Sequence, residues 1–135
     1  MKKLLLPCLL LLLASCKPEA KLQVPPHIDA FARSFVDSVR AGNIDQCMQQ
    51  VAPESATPAM RDYLTIAYHN LQNFGVKSVR CIEATRTADG AGSRYALSYE
   101  YTLRNMYLYI QMTLAEKDST LAMTSFEGTF TEKAR

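Results

Sequence analysis

The sequence predicts an α+β domain in which about three helices precede a curved four-stranded antiparallel meander and pack on one of its faces. Three observations predict this. Apolar residues recur every three or four positions as far as Phe74, the period drops to two after Gly75, and the alternating runs are separated by short polar or glycine-containing segments.

Ile28, Phe31, Phe35 and Val39 form a helical stripe widened by Ala32 and Val36, so the first helix is expected over 27–41. Arg40 falls in its last turn, and Gly42 suits the left-handed position that ends a helix. Asn43 with Gln46 has the spacing of a capping box, opening a short second helix whose apolar side is Ile44, Cys47, Met48 and Val51 and which Pro53 stops. Thr57-Pro58 places a capping hydroxyl before a proline at the first helical position. Met60, Leu64, Ala67, Leu71 and Phe74 follow at helical spacing, with Gly75 as the expected stop.

Val76 to Thr87 reads as a first strand whose imperfect alternation implies a bulge, and 88–92 as a turn. Tyr95, Leu97, Tyr99, Tyr101 and Leu103 alternate with Ala96, Ser98, Glu100 and Thr102 in the second strand. Arg104-Asn105 makes a tight turn into a third strand, where Met106, Leu108, Ile110, Met112 and Leu114 alternate with Tyr107, Tyr109, Gln111 and Thr113. Residues 116–119 form the last turn, and Thr120 to Thr131 the last strand.

Ahead of this domain, Lys2 and Lys3 precede an apolar run from Leu4 to Leu13 interrupted only by Pro7 and Cys8. The run is shorter than the roughly 20 residues of a spanning helix and fits the core of a secretory signal over residues 1–15. Leu13-Ala14-Ser15-Cys16 resembles the lipobox of bacterial lipoproteins. That resemblance implies cleavage before Cys16, fatty acylation (palmitate-type chains) at that residue, and a membrane as the first partner. Lys17 rather than Asp after the cysteine implies, for a Gram-negative envelope, the periplasmic face of the outer membrane. Residues 16–26, polar and proline-containing, read as the lipidated cysteine and a tether, and 27–135 as a single domain. Removing Lys2 and Lys3 from the 15 basic residues leaves 13 against 13 acidic ones, a balance that gives no reason to expect a nucleic-acid partner. Of the four cysteines only Cys47 and Cys81 then remain free to pair. In an oxidising compartment they either form a disulfide, closing a loop of about 35 residues worth roughly 3–4 kcal/mol, or stay separate as small buried hydrophobes.

The Phe31-to-Val39 helix running into Ala41-Gly42-Asn43, the Pro53 break and the closing Ser125-Phe126-Glu127-Gly128-Thr129-Phe130 strand together resemble the NTF2-like superfamily over roughly residues 27–131. The resemblance implies a cone of helices packed into a bent antiparallel sheet, with acids or histidines inside the cone in those members that are enzymes.

Chemistry-bearing residues are sparse. His27 precedes the first helix beside Pro26, and His69 lies off the apolar stripe of the third, so both read as surface or boundary residues. Glu100 falls on the face opposite the tyrosines. Inside a cone it would be a proton acceptor with a raised pKa, whereas Arg94, Ser98 and Thr102 on the same face favour a solvated position. Ser55, Ser93 and Ser125 have no histidine in a local motif, and no phosphate loop, metal-binding run or cofactor motif occurs. Tyr95, Tyr99 and Tyr101 on one strand and Tyr107 and Tyr109 on the next read either as cross-strand packing or as a binding surface. A ligand pocket is expected, if anywhere, between Met106, Leu108, Ile110, Met112 and the helices.

The expected function is therefore a lipid-anchored, periplasmic, non-catalytic binding module for an unidentified protein or small ligand, with toxin immunity as one version. The alternatives are an NTF2-like isomerase or hydrolase acting on a small apolar substrate through Glu100 or another acid, and a purely structural envelope protein.

Overall fold

Helix α1, Pro26–Arg40, starts where Pro25 leaves an extended backbone and its carbonyl accepts the N–H groups of Ile28 and Asp29 at 3.0 Å; the computed structural model describes residues 23–134. The expected signal, Cys16 and most of the tether lie outside the described residues. Val24, read as tether, packs against the core. Most of the α1 stripe is buried as its spacing requires: Ile28, Ala32, Phe35, Val36 and Val39 are all inaccessible to solvent, while Phe31 is only half-buried against the core. The helix ends in a Schellman motif, with Asn43 N–H on the Ser38 carbonyl at 2.9 Å and Gly42 N–H on that of Val39 at 3.0 Å. Gly42 holds φ at +80°, where a side chain is strained and where a Cβ would also press on the Tyr68 ring at 3.0 Å.

Helix α2, Ile44–Gln49, begins without a side-chain cap, so the expected Asn43–Gln46 capping box does not form. Asn43 is already committed to closing α1, and its backbone (φ −81°, ψ 58°) departs from the extended geometry that aims a capping side chain at the next turn. A 3₁₀ turn at Pro53–Ser55 leads to α3, Pro58–Leu71, where the Thr57 hydroxyl accepts Met60 N–H at 3.1 Å as the sequence predicts. Gly75 does not close α3. The helix stops at Leu71, and a turn with Phe74 N–H on the Leu71 carbonyl (3.2 Å) carries the Phe74 ring onto Phe130, 5.6 Å between centroids.

Strands β1 (Ser78–Asp89), β2 (Gly92–Thr102), β3 (Met106–Lys117) and β4 (Thr120–Glu132) form an antiparallel meander in the order β1-β2-β3-β4. The domain is thus α+β, three helices packed with an open four-stranded antiparallel sheet. The bulge expected in β1 falls between Cys81 and Glu83, and a second lies opposite Thr113/Leu114 in the β3–β4 pairing. Both hairpins at the Asp89 end are tighter than the sequence suggests. Asp89 pairs directly with Gly92, and the Asp89 carboxylate accepts Ala91 N–H at 2.7 Å, leaving a two-residue turn. Gly92 sits at φ +127° against the Glu116 carbonyl, which leaves no room for a Cβ. Glu116 and Lys117, expected in a turn, belong to β3, because Asp118 and Ser119 both adopt positive φ (52° and 64°) and reverse the chain by themselves.

One face of the sheet lies under the helices. Tyr95, Leu97, Tyr99 and Tyr101 on β2 stand opposite Leu114, Met112, Ile110 and Leu108 on β3, and all eight are buried. The other face is open and polar, with cross-strand rows such as Arg80, Glu100, Tyr109, Thr129 and Glu83, Ser98, Gln111, Glu127.

Candidate functional site

The sheet separates the five tyrosines of the expected binding surface, so they do not form one. Strand alternation sends Tyr95, Tyr99 and Tyr101 into the core at 4 %, 0 % and 2 % exposure. Only Tyr107 and Tyr109 reach the open face, 6.2 Å apart between ring centroids. Both are engaged: Lys133 Nζ lies 5.3 Å above the Tyr107 ring, and the Tyr109 hydroxyl donates to Glu100 at 3.1 Å.

Glu100 is on this open face, not within a cone. Arg80 Nε donates to its carboxylate at 2.9 Å, and this bond holds the Glu100 carboxyl below its usual range, the smaller desolvation effect opposing it and Tyr109 assisting. A group held ionised in this way is a poor proton acceptor. Its stabilising contribution is complete above the ordinary carboxylate range and is lost as the pH falls through the depressed folded value. Arg80→Ala is expected to move the Glu100 titration upward, read from its side-chain carboxyl resonance, and an unmoved titration would remove Arg80 as the cause.

A second polar cluster was not anticipated from the sequence. Asp29 on α1 receives the Tyr99 hydroxyl at 2.6 Å and Arg33 Nε at 3.0 Å, while the guanidinium lies 5.5 Å above the Tyr99 ring. Asp29 and Arg33 are four apart, one helical turn, and Tyr99 faces them from β2. Burial, then the bond to Asp29, push the Tyr99 phenol far above its usual range, so it stays protonated and ties α1 to the sheet.

Cys47 and Cys81 are free thiols, and the bridge left open by the sequence is not formed. Cys47 lies buried on α2 with its Sγ directed at the Phe35 carbonyl at 4.0 Å, whereas Cys81 on β1 donates to the Glu83 carbonyl at 3.4 Å. Burial pushes the Cys47 thiol up to about 11 and also raises that of Cys81, so neither is an activated nucleophile. His27 pairs with Glu116 at 2.7 Å where α1 begins. His69 is exposed in the last turn of α3 beside Tyr68. Among the described residues no group of three or more His, Cys, Asp or Glu side chains could hold a metal ion.

The site with the clearest binding character lies between α3 and β4. An apolar groove of about 210 Å³ has Leu71, Leu108, Ile110 and Phe126 as its floor and Tyr63, Ile66, Ala67, Asn70 and Phe130 as its walls, with Gly128 opening one side. The large hydrophobic residues that stay exposed among the described ones are Tyr63 (37 %), Ile66 (58 %) and Phe130 (38 %), and all three line this groove. Exposed apolar side chains gathered in one place mark interaction sites, whereas scattered ones do not. Aromatic packing holds the walls: Phe126 stacks between Phe35 (5.6 Å) and Tyr63 (6.2 Å). The expected pocket beside Leu108 and Ile110 is therefore present, but Met106 and Met112 do not line it, and its exposed walls come from α3 and β4.

The open face also carries a shallow trough of about 500 Å³, including Glu83, Thr85, Ser98, Gln111, Thr113 and Glu127. Its hydroxyl, amide and carboxylate groups are water-facing, the ordinary dress of a solvated antiparallel sheet face. No protein-family model, curated protein or solved structure matches this chain.

Proposed function

We propose that the chain is a lipid-anchored envelope protein whose folded domain is a non-catalytic binding module, and that the α3–β4 groove is its binding site. The observation that carries the reading is the coincidence of the exposed large hydrophobics with one apolar groove whose described lining has no carboxylate, imidazole or thiol. A site of this composition can desolvate an apolar group and offers no carboxylate, imidazole or thiol to a reaction, its one titratable side chain being Tyr63, whose hydroxyl is bonded to Gly128 N–H. The enzyme alternative needs Glu100 or another acid in a pocket, and Glu100, its best candidate, is ion-paired with Arg80 on the opposite face.

The membrane attachment rests on the signal-like segment and the Leu13-Ala14-Ser15-Cys16 box. Two or more acyl chains at Cys16 would fix the protein firmly, since one chain alone binds only marginally. No helix among the described residues is long and apolar enough to cross a membrane. In a Gram-negative envelope, Lys17 rather than Asp after the cysteine favours the periplasmic face of the outer membrane. Three helices on a bulged four-stranded meander also agree with an NTF2-like assignment, which we adopt as the finer description of the fold.

The test is a titration of the methyl-labelled protein with anilinonaphthalene sulfonate, an anionic reporter whose aromatic rings seek apolar sites. Shifts are expected at Ile66, Leu71, Leu108 and Ile110, and those at the last three are abolished in Ile66→Glu. Shifts confined to the Tyr107–Tyr109 face, or none in the folded protein, would overturn the assignment of the groove.

A further inference from the structure

We infer that what this groove receives is an extended polypeptide segment, added as a fifth strand along the outer edge of β4; the inference rests on the reading of the groove as a binding site and names its ligand class. β4 is an edge strand, and at Met123 the chain itself already pairs with that edge in this manner. Met123 donates to the Gln50 carbonyl and accepts Ala52 N–H, both at 2.8 Å, as the parallel bridge Val51–Met123. The same edge continues beyond the bulge without such cover.

Gly128 N–H points away from β3, because it meets the Tyr63 hydroxyl at 2.9 Å. In an antiparallel ladder, alternate residues bond to the same side. The backbones of Phe126, Phe130 and Glu132 therefore face outward as well, and among the described residues no backbone group pairs with them there. A row of amide donors and carbonyl acceptors repeating every second residue matches one ligand type, another extended backbone. Phe126 and Phe130 stand opposite Met112 and Leu108 and so project toward the helices. Every second side chain of an added strand would project the same way, against Phe130, Ile66 and the groove floor. A small apolar molecule could fill the groove but would leave this row to water.

Beyond the bulge, Tyr63 occupies the one outward donor that is already bonded among the described residues. It is 37 % exposed, so its ring can swing out while a strand carbonyl takes over Gly128 N–H. In the unliganded protein the hydroxyl thus satisfies one donor of an exposed sheet edge, the kind of edge that can template aggregation. Glu127 and Glu132 add charge to the same strand.

The experiment uses the full mature chain in detergent, panned against a phage library of random linear peptides. Selected peptides are then resynthesised with single N-methyl groups at each position. N-methylation at one alternating set is expected to weaken binding at least about tenfold and at the other set to leave it nearly unchanged, because only alternate N–H groups of an added strand face β4. Amide exchange at Phe130 and Glu132 slows on binding. Tyr63→Phe binds roughly fivefold more tightly, the worth of one competing hydrogen bond. Insensitivity to N-methylation overturns the inference. So does failure to select peptides while the anilinonaphthalene reporter still occupies the groove, which leaves a small-ligand site. So does a dimer through β4, dissolved by Phe130→Lys, which assigns the edge to a second copy. Loss of both peptide and reporter binding sinks the binding-site reading itself.

Discussion

Phe35→Ala is expected to cost about 3–5 kcal/mol, a large fraction of the roughly 5–15 kcal/mol that stabilises a domain this size. Phe35 is fully buried at the junction of all three layers of contact: it lies on α1, its carbonyl faces Cys47 of α2, and its ring meets Phe126 of β4 at 5.6 Å. Removing the ring leaves a cavity beneath helices already held in place by neighbouring buried residues, so the site cannot collapse to fill it. Urea unfolding followed by far-ultraviolet circular dichroism measures the loss. A loss below about 1 kcal/mol would show that the Phe35 ring does not hold α1 against the sheet. The same truncation also loosens Phe126, so groove binding is expected to weaken even in conditions where the variant stays folded.

Cys16→Ser is expected to abolish incorporation of labelled palmitate and to leave the leader attached. On the proposed reading, the thiol is the acceptor of the diacylglyceryl group and a requirement for the cut that follows it. The wild-type chain should show an intact mass that begins at Cys16 and carries the added acyl groups, and it should partition into detergent. Label incorporation that survives the substitution, or a wild-type mass that retains residues 1–15, would refute the lipid anchor while leaving the groove untouched. The two predictions therefore fail independently.

The helix and strand inventory was legible because burial follows period. Ile28, Phe35 and Val39 on α1 and the Tyr95-to-Leu103 alternation could be read as inward faces, and they are buried. Boundaries were less legible where two local signals competed. Asn43 resembled a helix cap, but the backbone there serves the end of α1, and Gly75 resembled a stop, although α3 ends earlier and the Phe74 ring finds Phe130 across the fold. The split of the five tyrosines was implicit in strand parity, since residues on β2 and β3 that share a face also pair across the ladder. Tyr99 and Ile110 pair on the inner face, and Glu100 and Tyr109 on the outer one.

The groove was harder to see. Its signal is local: Tyr63, Ile66 and Asn70 lie at helical spacing beside the Leu64–Leu71 stripe, so α3 presents a second apolar edge that the main stripe does not need. That this edge meets Phe126 and Phe130 depends on how α3 and β4 come together, and no spacing within either segment encodes it. Likewise the Asp29–Arg33–Tyr99 cluster joins residues 70 positions apart. Only its Asp29–Arg33 half could be read from the helix. Apolar and aromatic walls also carry no motif of the kind that marks a nucleophile or a metal site, which is why the chain offered an architecture more readily than a task.

A photo-reactive side chain placed at Ile66, compared with one at Gln111 on the open sheet face, tests most directly which surface of the tethered protein meets its partner in intact cells. The account predicts a discrete, saturable adduct from position 66 and none from position 111. An adduct from position 111 alone would contradict it.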